Sequence, residues 1–343
     1  MTASPERGRW PWPPGSATGV GSLPGTDPTR AMHMVVELLP DFPHLPELAA
    51  RGPWADLTGR GMALLPGMTG DVGVSGWRLV PRPGRDVSLA RSMLNQDLDA
   101  LEEGLAGFRG AVKIQVVGPV TLAATVELPS GHAAVSDPGA RRDLAQSLAE
   151  GLAEHAGEVR RRVPGARLVV QLDEPSLPTC LAGELPTASG FSRIRALPGD
   201  EAQRWLAMVI AAVGDAVPLI HCCDARVPVA RLVAAGARAL SLDLAAVGVD
   251  ADDDLGAALE SGAGLVAGVV ATAGSAGSDP GATVTPVWNL WRRLGLPAER
   301  LSAQVVVSPT CGLAGSTPQG ARAAYQSAVR GARLLDDDPE GRR

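Results

Sequence analysis

Short runs rich in valine, isoleucine and leucine alternate along this chain with longer stretches in which apolar residues recur at helical spacing. Eight runs have the length and composition of buried strands: Ala17–Ser22, Pro43–Leu48, Val112–Val117, Leu168–Leu172, Pro218–Cys223, Ala239–Leu244, Gly264–Val270 and Gln304–Ser308. Helices are expected at 89–108, 137–162, 200–213, 226–236, 252–261, 285–294 and 318–335. Several open on a capping residue and a first-turn proline, as at Asp137-Pro138, Thr285-Pro286 and Thr317-Pro318. Strand and helix in alternation build a parallel sheet. Eight such units in 343 residues point to an α/β fold, a (β/α)8 TIM barrel, with a doubly wound open sheet as the second arrangement the same periodicity allows.

The expected organisation is one barrel domain over 17–335, an N-terminal tail over 1–16 and a C-terminal tail over 336–343. No repeat or linker divides the chain. The stretch 49–110, between the second and third strands, is longer than a barrel turn requires. Within it, 76–86 reads as a hairpin or excursion over one barrel end.

Composition narrows the function. A net charge of −6 and an aromatic content of 3% argue against a nucleic-acid partner, which would call for a basic face and stacking rings. No apolar run reaches membrane-spanning length and no apolar leader follows Met1, so a soluble, cytoplasmic protein is expected. Four cysteines without close patterning fit reduced, metal-binding or reactive thiols better than a disulfide framework.

The polar motifs fall where strands end, and strand ends are where barrels carry chemistry. His221 and Cys223 are two apart on an expected strand and so point to the same side, while Cys222 points the other way. With Cys311, just past the last strand, they make an imidazole and dithiol set suited to zinc. Asp243, at the end of the sixth strand, completes it as an exchangeable fourth ligand, which would leave the site open to a substrate thiol. Asp173, in Asp173-Glu174-Pro175, and Glu47 are carboxylates placed to accept a substrate ammonium group. Ser22, behind Gly21, is placed to hydrogen-bond a substrate carboxylate. The alternatives at these positions are a helix cap or salt bridge for the carboxylates and a plain turn for Ser22.

Other residues read as structural. Cys222 and Cys180 are expected to be ordinary thiols. His33, His44, His132 and His155 are expected on the surface or in loops, and no catalytic acid or base is assigned. Asp252-Asp253-Asp254 reads as the acidic first turn of a helix. The glycine-rich stretch 273–281 reads as a mobile loop without a phosphate-binding pattern. Lys113, the chain's one lysine, would suit a Schiff-base aldolase but lies early in its strand, toward the end away from chemistry.

Val20-Gly21-Ser22-Leu23-Pro24, Gly118-Pro119-Val120-Thr121, Gln171-Leu172-Asp173-Glu174-Pro175, His221-Cys222-Cys223 and Pro309-Thr310-Cys311-Gly312-Leu313, in this order, resemble the C-terminal catalytic barrel of cobalamin-independent methionine synthase in its single-barrel form. The resemblance spans roughly 17–330. It implies zinc held by His221, Cys223 and Cys311, with Asp243 where the family uses Glu. It further implies Ser22, Glu47 and Asp173 around the amino-acid part of homocysteine, and methyl transfer to its thiol to give methionine. The chain departs from the full-length enzymes in three ways. It has no second barrel, it reads Leu122-Ala123-Ala124 where a tryptophan would pack on folate, and it reads Val270-Ala271-Thr272-Ala273-Gly274 where they place a proton-donating histidine. The methyl donor could thus be methyltetrahydrofolate, a methyl-corrinoid protein or a small methylated sulfur compound. Transfer to another small, coenzyme-M-like thiol, or a catalytically idle metal-binding barrel, are the competing functions.

Overall fold

The computed structural model of the protein describes residues 10–272 and 279–342. The stretch 49–110 folds as a turn, the helix Leu57–Leu64, an antiparallel hairpin of β1 (Gly70–Gly73) and β2 (Gly76–Leu79), and the helix Arg85–Gly104. The hairpin thus lies ahead of the expected 76–86. Trp77 anchors it: the ring is buried, and its Nε1 donates to the Pro53 carbonyl at 2.7 Å.

Six strands then form one parallel sheet in sequence order: β3 (Ala111–Val117), β4 (Arg167–Asp173), β5 (Val217–Cys222), β6 (Ala239–Asp243), β7 (Gly264–Val270) and β8 (Val305–Pro309). All seven residues of β3 are buried, as expected of a parallel sheet covered on both faces. The sheet curls into an incomplete barrel. The two earliest expected strands do not form ladders; Ala17 bridges Val307, Ser22 bridges Glu47 and His44 bridges Lys113, each as a single parallel pair. The cause is local. Gly19 and Gly21 weaken the first segment, and Pro43 and Pro46 remove donors from the second.

Alternate strand residues separate two cores. Val112, Ile114, Val170, Ile220, Cys222, Leu240 and Leu242 face the surrounding helices in the larger one. Ala111, Val169, Leu219, Ala239, Val266 and Val306 face inward with Trp10, Trp12 and Phe42. Trp10 stacks on Trp12 at 4.7 Å and Trp12 on Phe42 at 5.2 Å, which stops up the end of the barrel where the strands begin. Arg167 donates to the carbonyls of Trp10 and Pro11. Residues from Trp10 onward are therefore packed structure where a tail was expected. At the other terminus, Asp338 is buried and its carbonyl accepts from Trp288 Nε1 at 3.1 Å.

Helix starts follow the capping pattern at Asp137 and Thr317, whose side chains accept from Ala140 N and Gly320 N. The helix expected from Thr285-Pro286 instead begins at Pro280, capped by Asp279, and carries Pro286 in its interior. Asp252 opens its helix and pairs with Arg293 at 2.6 Å. Of the glycine-rich stretch 273–281, residues 273–278 lie outside the described residues. Among the described residues, no helix is long and apolar enough to cross a membrane.

His44 and His155 correct another expectation, for both are buried. His44 Nε2 meets the Tyr325 hydroxyl at 2.7 Å, in space that a Cβ at Gly19 would fill. Burial pushes both imidazoles from 6.5 down to about 3. Burial also pushes Glu47 from 4.5 up to about 8 and Glu174 up to about 7. Below pH 6.5 the unfolded chain takes up protons on the two histidines that the folded protein refuses, so stability falls as pH drops. The two buried carboxyls favour the folded state fully below 4.5 and lose that contribution as pH rises through 7 and 8. Between about pH 4.5 and 6.5 the two effects offset each other.

Candidate metal and substrate site

The strand ends bring three donors together. His221 is the fifth residue of β5, Cys223 follows that strand directly, and Cys311 lies two residues past the end of β8. Cys311 Sγ is 3.6 Å from Cys223 Sγ and 3.9 Å from His221 Nε2, and the three donor atoms all lie within 4.8 Å of one another. Two thiolates on one tetrahedral zinc at about 2.3 Å stand about 3.8 Å apart, and a thiolate and an imidazole nitrogen about 3.6 Å. The observed spacings fit that geometry, and the mixture of soft sulfur and imidazole fits the metal. The three side chains are placed as a zinc-binding cluster.

The imidazole is oriented from behind. His221 Nδ1 lies 3.2 Å from the Ser241 carbonyl and 3.0 Å from its hydroxyl. A carbonyl can only accept, so Nδ1 is the donor and Nε2 keeps its lone pair toward the cysteines. Ser241 is the register partner of His221 on β6, one pleat below Asp243. Removing the hydroxyl by Ser241→Ala leaves the carbonyl in place and should weaken zinc binding about tenfold, measured by competition with a chromophoric chelator. Unchanged affinity would remove Ser241 from any orienting role.

The thiols divide as parity predicts. Cys222 is fully buried among core residues, and burial pushes its thiol up to about 12; Cys180 behaves the same way. The two sulfurs share a hydrogen bond, and that contact holds Cys311 down at about 4, with His221 adding to the effect, while Cys223 is driven up.

Asp243 ends β6 beside Cys223, since Cys222 pairs with Leu242. It is not a member of the three-donor cluster, and its Oδ1 accepts from Ala245 N at 2.9 Å.

Asp173 and Glu174 point into different surroundings. Asp173 is buried, is the register partner of His221, and faces His221 and Lys113; burial lifts its carboxyl to about 6. Glu174 turns away. Its carboxylate accepts from Val120 N at 2.9 Å, Thr121 N at 2.8 Å and Thr121 Oγ1 at 2.7 Å, capping the helix Pro119–Thr125. A Cβ on Gly118 would collide with it, which explains the glycine before Pro119.

Ser22 and Glu47 come together through their bridge, with Leu23 N donating to the Glu47 carbonyl at 2.8 Å. The Ser22 carbonyl accepts from Leu313 N at 2.8 Å, and its hydroxyl abuts Gly312, the residue after Cys311. Glu47 is buried, 3.9 Å from Arg60 Nε, and Arg60 in turn pairs with Asp97 at 2.7 Å. Four residues of this region received no role from the sequence: Ser241, Arg60, Gln171 and the buried head of Lys113. Ser241 alone could have been found, as the same-face neighbour of Asp243.

No curated protein matches the chain. Among solved structures, a B12-independent methionine synthase from Shewanella sp. W3-18-1, in complex with selenomethionine, superposes with a TM-score of 0.65 at 12% identity, covering 95% of this chain and 98% of that one. That likeness is one of fold. A 2,3-dimethylmalate lyase of the PEP mutase/isocitrate lyase superfamily gives a TM-score of 0.36 at 11% identity, covering 85% of this chain and 74% of that one. The family model described as cobalamin-independent synthase, catalytic domain, matches residues 105–334. That span holds His221, Cys223, Cys311 and Asp173, while Ser22 and Glu47 precede it. By this match over two thirds of its length, the chain belongs to the cobalamin-independent methionine synthase family.

Proposed function

We propose that the protein is a zinc-dependent methyltransferase that methylates the thiol of homocysteine to form methionine. The observation that carries this reading is one mouth holding both halves of such a substrate's chemistry: the donors His221, Cys223 and Cys311, and the buried carboxylates Asp173 and Glu47 beside them. When bound, zinc would supply a Lewis acid that turns a coordinated thiol into a thiolate at neutral pH. His221, Cys223 and Cys311 would hold it, with Asp243 as the fourth, exchangeable arm.

Asp173 and Glu47 accept the substrate's ammonium group, and Ser22 binds its carboxylate. Both groups stand on segments fixed to the sheet, so the thiol is delivered in one orientation, which an in-line methyl transfer requires. We read the two bridged segments that carry Ser22 and Glu47 as the first two staves of a (β/α)8 barrel. Asp173, the more acidic of the two carboxyls, disfavours a coenzyme-M-like sulfonate thiol, whose negative charge it would repel. The selenomethionine bound by the Shewanella protein carries its methyl group on the chalcogen, as the product proposed here does.

For the donor, we keep methyltetrahydrofolate and a methyl-corrinoid protein as alternatives. The helix Pro119–Thr125 buries Leu122 and Ala123 in the core and offers no ring to a folate. The deciding experiment supplies zinc-loaded protein with homocysteine and, in turn, methyltetrahydrofolate, a methylated corrinoid and an S-methyl donor, following methionine by mass spectrometry. Methionine from one of them is expected. Methylation of other thiols but never homocysteine would sink the acceptor assignment.

A further inference from the structure

The residues that hold the first two segments in place are side chains inside the barrel. Lys113 leaves β3 near its start, but its long side chain runs toward the strand ends, and its Nζ donates to the Val20 carbonyl at 2.7 Å. Gln171 Nε2 donates to the same carbonyl at 2.8 Å and to Asp173 Oδ1 at 2.6 Å. Gln115 does the same service for the second segment, donating to the Leu45 carbonyl at 2.7 Å. All three side chains are buried. One carbonyl, two residues before Ser22, thus receives two inward donors, one of which also holds Asp173. Lys113 also faces the buried carboxyls of Glu47 and Asp173; burial draws its amine down to about 7, and the two carboxyls act against that fall.

We propose that Lys113 is a positioning residue for the amino-acid half of the site. Its clamp on Val20, shared with Gln171, makes the mouth discriminate in favour of a thiol bearing an α-amino-acid head group. The clamp sets where Ser22 stands relative to Asp173, and the ammonium keeps two adjacent carboxylates usable as acceptors. It acts on the head group and not on the sulfur, because none of its contacts is with His221, Cys223 or Cys311. This inference rests on the amino-acid thiol reading given above.

The test uses full-length protein loaded with cobalt(II), whose absorption reports thiolate coordination without turnover. Dissociation constants are measured for homocysteine and for propane-1-thiol, which lacks the head group. The wild type should prefer homocysteine by at least about 100-fold. Lys113→Met should cut that preference at least about tenfold, with cobalt content and propanethiol affinity unchanged. A merely structural role would weaken both thiols together, and that result, or a retained preference, overturns the proposal. If Lys113→Met does not fold, Gln171→Met must show the same selective loss, and its failure to do so overturns the clamp. A wild type with no preference for homocysteine overturns the acceptor assignment itself, and this inference with it.

Discussion

Cys311→Ser should bring zinc from about one ion per chain to near zero and lower methyl transfer by at least about 10³-fold. A serine hydroxyl is too weakly acidic to replace a thiolate, and His221 and Cys223 alone leave two strong donors where tetrahedral zinc sites use three or four. Cys311 is also the sulfur that lies against both other donors, at 3.6 and 3.9 Å, so its loss removes the centre of the cluster. Cys222→Ala is the matched control. It alters the same His-Cys-Cys motif but removes a sulfur that faces the core, so zinc content should stay at the wild-type level while some stability is lost. Metal analysis after gel filtration reads both. Full zinc in Cys311→Ser, or an equal loss in both variants, would mean that the cluster is not the metal site.

Glu174→Ala should be the most destabilising single change near the mouth, at about 3–5 kcal/mol in urea unfolding. Its carboxylate serves two amides and a hydroxyl in a fully buried position, and alanine leaves all three donors without a partner and without water. The loss also frees the start of the helix Pro119–Thr125 next to Asp173, whose carbonyl accepts from Gly118 N at 2.8 Å. Glu174→Gln keeps one acceptor oxygen and the volume, so it should cost less than half as much. If Glu174→Ala shifts the unfolding midpoint no further than a surface substitution does, the cap is not a stabilising element.

The parts of the site that could be read from the chain are those governed by strand parity. That rule separated Cys223 from Cys222 and placed His221 inward, and it holds because a parallel strand has only two faces. It works equally for Asp173 against Glu174, but the sequence does not say which face a carboxylate prefers when both are buried. The packing of Gly118 decides that. Long side chains escape the rule altogether. The backbone position of Lys113 says little about its head group, which reaches the carbonyl of Val20, two residues before Ser22. His44 and His155 looked like surface residues because burial of an imidazole depends on a distant partner, Tyr325 for His44, that no local pattern announces. The six strands of the parallel sheet were legible as valine- and leucine-rich runs. The first two segments were legible as positions but not as single bridges, since glycine and proline thin the ladder without moving the chain.

The stack of Trp10, Trp12 and Phe42 sets a rule for traffic. With that end of the barrel filled by aromatic rings, the thiol and the methyl donor of the proposed reaction would share one doorway, and its product would leave by it. A bulky donor docked at the mouth would stand in the product's way, so a thiol that arrives first can be trapped beneath it until the methyl group has passed. For the proposed reaction, order of arrival would then follow from the architecture, set by three stacked rings at the opposite end of the molecule.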